Sequence, residues 1–129
     1  MAISNIQETL LMYTKQKAML NYKLSSVMST MLSAARQTAD KQAQYNAKEA
    51  NIYYTYYATD PDTYYVYLED LQQDRELSMA ALNAWETQLE SQKNALETSL
   101  NYITQTESSW TKLLQSNIKN DFTYGGGQK

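Results

Sequence analysis

The residues best equipped for chemistry in this chain are carboxylates and hydroxyls: Asp60 and Asp62 on either side of Pro61, scattered Ser, Thr and Glu, and twelve tyrosines. Catalysis at neutral pH usually draws on His as general base or on a Cys thiolate, and the chain has neither. The Ser and Thr hydroxyls therefore have no imidazole to activate them. The three glycines stand together at Gly125, Gly126 and Gly127, so no glycine-rich loop is available to cradle a phosphate. Asp60 and Asp62 would suit a calcium loop only with further spaced carboxylates and a Gly, which are missing. They read better as a helix start. Asp60 can accept from free first-turn amides, Pro61 falls where a missing N–H costs nothing, and Asp62 complements the positive helix end. The expectation is a protein that is not an enzyme, with no catalytic residue, cofactor, metal or small-molecule substrate.

The elements that would carry these residues are long. Pro61 is the only proline and the glycines are terminal, so residues 1–60 and 62–124 lack the strongest backbone breakers. In the first arm, Ile3, Leu10, Lys17, Leu24 and Met31 stand seven apart, as do Ile6, Tyr13, Leu20, Val27 and Ala34. Alternating three- and four-residue spacing forms a stripe on an α-helix, and the sustained repeat is the coiled-coil pattern. Beyond Ala34 the expected seam thins to Ala35, Ala39, Ala43 and Ala47. In the second arm Leu82, Leu89, Leu96, Ile103 and Trp110 are seven apart, with Leu100 and Leu114 in the alternate register and Glu86, Lys93 and Glu107 between. The scattered Glu read as solvated-face charges.

The pattern predicts an all-α fold: one domain over residues 1–124, a long antiparallel two-helix hairpin resembling a coiled coil. Its arms are 3–57 and 63–121, with the turn at 58–62 and a flexible tail over 125–129. Each arm would run roughly 80 Å at 1.5 Å per residue. Pairing residues whose numbers sum to about 120 sets Met31 against Leu89, Leu24 against Leu96, Leu20 against Leu100, Leu10 against Trp110 and Ile6 against Leu114. Ala35 then faces Trp85, Ala39 faces Ala81, and Lys17 lays its stem along Ile103. The expected intramolecular seam is thus Ile6, Leu10, Leu20, Leu24, Met31, Leu82, Trp85, Leu89, Leu96, Leu100, Ile103, Trp110 and Leu114. Two alternatives stay open. Tyr, Thr and Val cluster around the turn, which would suit a short tyrosine-rich β tip over residues 52–67. Breaks near Thr38–Asp40 and Asp70–Asp74 would permit a compact three- or four-helix bundle.

Two paired helices leave most of each surface wet, yet large apolar residues also lie off the seam. Burying one is worth roughly 1.5–3 kcal/mol, and contiguous exposed ones mark interaction surfaces. The expected assembly interface comprises Leu11, Met12, Met19, Met28, Leu32, Leu113, Ile118 and Phe122, with Met79 and Tyr102 also off the seam. To these the tip adds Tyr53, Tyr54, Tyr56, Tyr57, Tyr64, Tyr65 and Tyr67. Tyrosine offers rigid contact area with one polar end and favours protein interfaces. Stacking on nucleic-acid bases would call for nearby cations, and residues 49–74 hold no Lys or Arg.

Net charge is −3, divided as +3 over residues 1–59 and −6 over residues 60–129. No basic cluster is dense enough to cover phosphates, so nucleic acid is not an expected partner. The opposite signs suit two arms lying together. No stretch approaches the roughly 20 apolar residues of a membrane span, and the N-terminus lacks the pattern of a cleavable signal peptide. The expected location is cytoplasmic, or the cell surface by a leaderless route.

The order of parts resembles the needle and filament subunits of type III secretion systems. The matching segments are Thr59-Asp60-Pro61-Asp62 followed by Tyr67-Leu68-Glu69-Asp70-Leu71-Gln72, and the ending Leu113-Leu114-Gln115-Ser116-Asn117-Ile118-Lys119-Asn120-Asp121-Phe122. The likeness covers residues 55–122 and rests on pattern more than identity. This chain departs from it in being longer and in adding Tyr124-Gly125-Gly126-Gly127-Gln128-Lys129. The resemblance implies export without a leader and homopolymerisation. Two functions follow as expectations: a structural subunit that self-assembles into a filament or other multi-copy helical assembly, or a soluble coiled-coil adaptor or chaperone that binds a partner protein's helix.

Overall fold

A computed structural model describes the backbone of residues 2–127 and the side chains of residues 2–121. It contains two α-helices, α1 (Ile3–Tyr56, 54 residues) and α2 (Pro61–Gly127, 67 residues), and no strand among the described residues. The helices pack against each other about a single turn, an all-α helical hairpin. Continuous helix is what Ala, Gln, Leu, Lys and Glu favour where Gly and Pro are absent. The many Thr side chains are accommodated locally. Thr9, Thr14, Thr38, Thr87, Thr98, Thr106 and Thr111 each donate a hydroxyl hydrogen bond of 2.8–3.0 Å to the carbonyl four residues earlier.

The turn needs no glycine. The Tyr57 amide donates to the Tyr53 carbonyl (3.1 Å) and the Asp60 amide to the Tyr56 carbonyl (2.8 Å), so the end of α1 closes on its own backbone. No residue there adopts a positive φ. Asp60 then caps α2, as its position before proline predicts. One carboxylate oxygen accepts from the Thr63 amide (3.3 Å) and the other from the Thr63 hydroxyl (2.6 Å). These bonds, the hydroxyl one first, hold the Asp60 carboxyl below its usual range.

A carboxyl depressed in the folded state adds stability above its ordinary range and loses it as pH falls through the lowered value. Wild type therefore carries an acid-sensitive contribution that Asp60→Asn, which still caps but cannot ionise, should lack. Thermal melts followed by circular dichroism across the acid range check this; identical pH profiles for the two proteins would count against the capping role.

Helix bounds differ from expectation by a residue or two at the turn. α1 ends at Tyr56 rather than 57, and α2 begins at Pro61 rather than 63. At the far end helix continues through Gly127, past the expected end at 121 and into the first three residues of the expected tail. Gln128 and Lys129 lie outside the described residues. The two alternatives also resolve. The tyrosine-rich segments are helical up to Tyr56 and from Pro61, so no β tip forms, and helix runs unbroken through Thr38–Asp40 and Asp70–Asp74.

The chain divides into two units, Met1–Ser26 with Lys93–Lys129, and Val27–Gln92. In the first, α1 contributes Ile3, Ile6, Leu10, Tyr13, Lys17, Leu20 and Leu24, and α2 contributes Leu96, Leu100, Ile103, Glu107, Trp110 and Leu114, all buried or half-buried. Among the described residues, Ile6 is the one fully buried large side chain. Lys17 does not simply lie along Ile103. Its Nζ sits 3.5 Å from Glu107 Oε1, while the Thr14 hydroxyl oxygen lies 3.3 Å from Glu107 Oε2.

In the second unit the seam of α1 is Met31, Ala34, Thr38, Tyr45 and Ile52, facing Leu68, Leu71, Arg75, Ser78, Leu82, Trp85 and Leu89 on α2. This corrects the expected alanine stripe. Ala35, Ala39, Ala43 and Ala47 are all exposed, and the seam keeps its seven-residue repeat through Thr38, Tyr45 and Ile52. The reason is the repeat itself: Ala34 continues the alternate register of Ile6, Tyr13, Leu20 and Val27 onto the inner face, and Ala35 lies beside it on the outer side. The cross-helix bonds join residues whose numbers sum to 119–124, near the expected 120.

Candidate assembly surfaces

The seam is only partly apolar, and its polar residues are paired. In the second unit the Tyr45 hydroxyl lies 2.8 Å from Ser78 Oγ and 3.1 Å from Asp74 Oδ2, with the ring itself buried. The Thr38 hydroxyl is 2.6 Å from Glu86 Oε1. Arg75 donates through Nη2 to Asn46 Oδ1 (2.9 Å) and through Nη1 to Glu49 Oε2 (3.4 Å). Glu86 and Glu107, which the heptad places in the alternate register of the seam, are half-buried acceptors reaching the other helix. Lys93 is half-buried too, with its Nζ 3.9 Å from Glu97 along α2. No buried side-chain N or O among the described residues lacks a partner. Such contacts fix register: a sliding helix would strand them unpaired in a partly dry seam. Tyr45→Phe removes the hydroxyl and leaves its partners half-exposed. The expected cost is about 0.5–1.5 kcal/mol in urea unfolding, and no measurable change would assign Tyr45 a purely apolar role.

With its polar residues so engaged, the seam uses little of the chain's apolar material. Among the described residues only Ile6, Ala34, Tyr45 and Leu89 are buried hydrophobics, against sixteen large exposed ones. The chain exposes 9446 Å², where a compact monomer of 14.8 kDa exposes about 7000 Å². All thirteen seam residues expected from the sequence are buried or half-buried.

Of the residues expected at an assembly surface, Leu11, Met12, Met19, Met28, Leu32, Tyr53, Tyr54, Tyr57, Tyr65, Tyr67, Leu113 and Ile118 are exposed. Two are not. Tyr56 is half-buried with its ring 5.2 Å from Tyr67, and Tyr64 is half-buried against Tyr53 and Tyr57. The Phe122 side chain lies outside the described residues. Tyr22, Val66 and Leu77 are exposed as well and escaped the sequence reading. For Tyr22 the signal was present, since it follows Met19 by three and Leu11 by eleven, on one helical face.

In the first unit the exposed set forms a stripe on α1. Leu11, Met12, Lys15 and Met19 line one open depression together with Glu8 and Gln16, and Tyr22 continues it. Residues 9–26 contain Lys15, Lys17 and Lys23 and no acid. In the second unit most of the exposed set is the tyrosine tip, with Met28, Leu32 and Leu77 apart from it. Tyr53 stacks on Tyr57 with ring centroids 4.7 Å apart, and Tyr64 packs edge-on against Tyr57 at 5.2 Å and Tyr53 at 6.0 Å. Desolvation among these rings, then the charge of Glu49, raises the Tyr64 phenol above its ordinary value. The rings thus brace one another across the turn, while Tyr54 and Tyr65 project outward, Tyr54 at 84% exposure.

Among the described residues, no three acidic side chains converge as a metal site, and no helix is long and apolar enough to cross a membrane. Compared with protein-family models, curated proteins and solved structures, the chain finds no match.

Proposed function

We propose that this chain is a structural subunit that self-assembles through helix packing into a filament or other multi-copy helical assembly. The observation that carries the reading is the inverted balance of apolar side chains: four buried against sixteen large and exposed, among the described residues. Exposed apolar residues are ordinary singly, but a contiguous set such as Leu11, Met12 and Met19 on α1 marks a surface that neighbours cover. A helix that serves one partner carries charge on its far side. Here α1 presents Leu11, Met12, Met19 and Tyr22 off the seam, and α2 presents Leu77, Tyr102, Leu113 and Ile118. Export, which the resemblance to type III secretion subunits implies, belongs to the same proposal.

The test is growth with concentration. Sedimentation and negative-stain microscopy of the purified chain should reveal open-ended particles above a threshold concentration. A monomer or a closed dimer at every concentration would overturn the reading and favour the adaptor or chaperone alternative, in which the same stripes cover a partner protein's helix.

A further inference from the structure

The two units carry opposite charge. Met1–Ser26 with Lys93–Lys129 holds seven basic and four acidic residues, a net +3, and Val27–Gln92 holds four basic and ten acidic, a net −6. The sign change that the sequence places between the arms is therefore equally a difference between units, each of which draws on both helices. It coincides with the two exposed surfaces. Around the tyrosine tip, residues 49–74 contain six acids and no cation. On the stripe of α1, Lys15 and Lys23 are exposed beside Met12, Met19 and Tyr22, with Glu8 the one acid at the end of the depression and Lys17 already paired with Glu107.

We infer that the tyrosine tip of one copy docks on the methionine–lysine stripe of a second copy. The inference deepens the self-assembly reading and rests on it. The chemistry matches on three counts. Tyrosine rings seat well against thioethers, which are polarisable and adapt their shape. Tyr54 and Tyr65 present ring area that nothing in their own unit covers, and Lys15 and Lys23 meet Asp62, Glu69 and Asp70 with favourable sign. Like surfaces, by contrast, repel: two tips would bring twelve acids together without a cation between them. The tip and the stripe are different patches of one chain, so the contact is heterologous. Each copy that docks by its tip still offers its stripe, and the series stays open unless it closes as a ring.

Two variants test this. Tyr54→Ser with Tyr65→Ser removes the tip, and Met12→Glu with Met19→Glu removes the stripe; all four positions are exposed, and circular dichroism verifies that the helices persist. Each variant alone should stay monomeric at concentrations where wild type grows. Mixed in equal amounts, they should form a one-to-one complex and stop, because the only intact tip meets the only intact stripe. That complex should weaken as salt rises, since screening shortens the reach of charge to about 10 Å at 0.1 M.

If wild type grows but the mixture gives no complex, or either variant dimerises alone, the tip-to-stripe contact is wrong and self-assembly stands. If wild type never grows, self-assembly itself is overturned. Should the glutamates melt α1, Met12→Ser with Met19→Ser keeps the pairing experiment intact, with the same outcomes.

Discussion

Leu89→Ala lowers the unfolding free energy of the isolated chain by about 2–5 kcal/mol, the range for a leucine truncated inside a packed core. Leu89 is one of only four buried hydrophobics among the described residues, and it sits at 6% exposure in the seam of its unit. A seam with so few dry positions has little surrounding mass to collapse into the space, which places the effect well inside that range. Leu113→Ala is the control. Leu113 is exposed, and surface truncations fall within about ±0.5 kcal/mol. Urea unfolding followed by circular dichroism separates the two, provided it is run below the threshold for growth. Above it, neighbours add stability by mass action and mask the difference. Equal effects at Leu89 and Leu113 would mean that the seam as described is not what holds the helices together.

The second large effect concerns assembly and leaves folding alone. Leu113→Ser combined with Ile118→Ser raises the threshold concentration for growth by roughly 100-fold or more, if each side chain is covered by a neighbour. Burial of a large apolar side chain contributes roughly 1.5–3 kcal/mol, and each 1.4 kcal/mol is tenfold in an association constant. Both residues are exposed on α2, so helix content and urea midpoint of the unassembled chain should hardly move. Sedimentation across a concentration series reads the threshold. An unchanged threshold removes the last part of α2 from the contact and leaves the tip and the stripe to carry it.

Much of the fold was written in the residues themselves. The lack of interior Gly and Pro, the seven-residue repeats from Ile3 to Met31 and from Leu82 to Trp110, and the Asp60-Pro61 start determined two long helices, their order and their turn. Those are local properties: a helix is set by backbone entropy, caps and periodicity within a few residues. The exposed stripe at Leu11, Met12 and Met19 was legible for the same reason, because three-and-four spacing assigns faces on a single helix.

What tertiary structure alone decided is which of two neighbouring faces turns inward, and what the polar seam residues do there. Ala35 and Ala34 are adjacent in sequence, but packing against α2 buries the second and leaves the first exposed. Tyr45 stands outside the expected seam, yet its ring is buried there, with its hydroxyl in reach of Asp74 and Ser78 on α2. The heptad put Glu86 and Glu107 in the alternate register of the seam, but only the fold shows Thr38, Thr14 and Lys17 lying opposite them. The tyrosines around the turn were open between strand and helix, since propensity for strand is weak where rings can pack on one another. The stack of Tyr53, Tyr57 and Tyr64, which spans both helices, decided for helix. For Tyr45, Glu86 and Glu107 the deciding contact comes from the other helix, dozens of residues away in sequence, and such a contact exists only once the register between the helices is set.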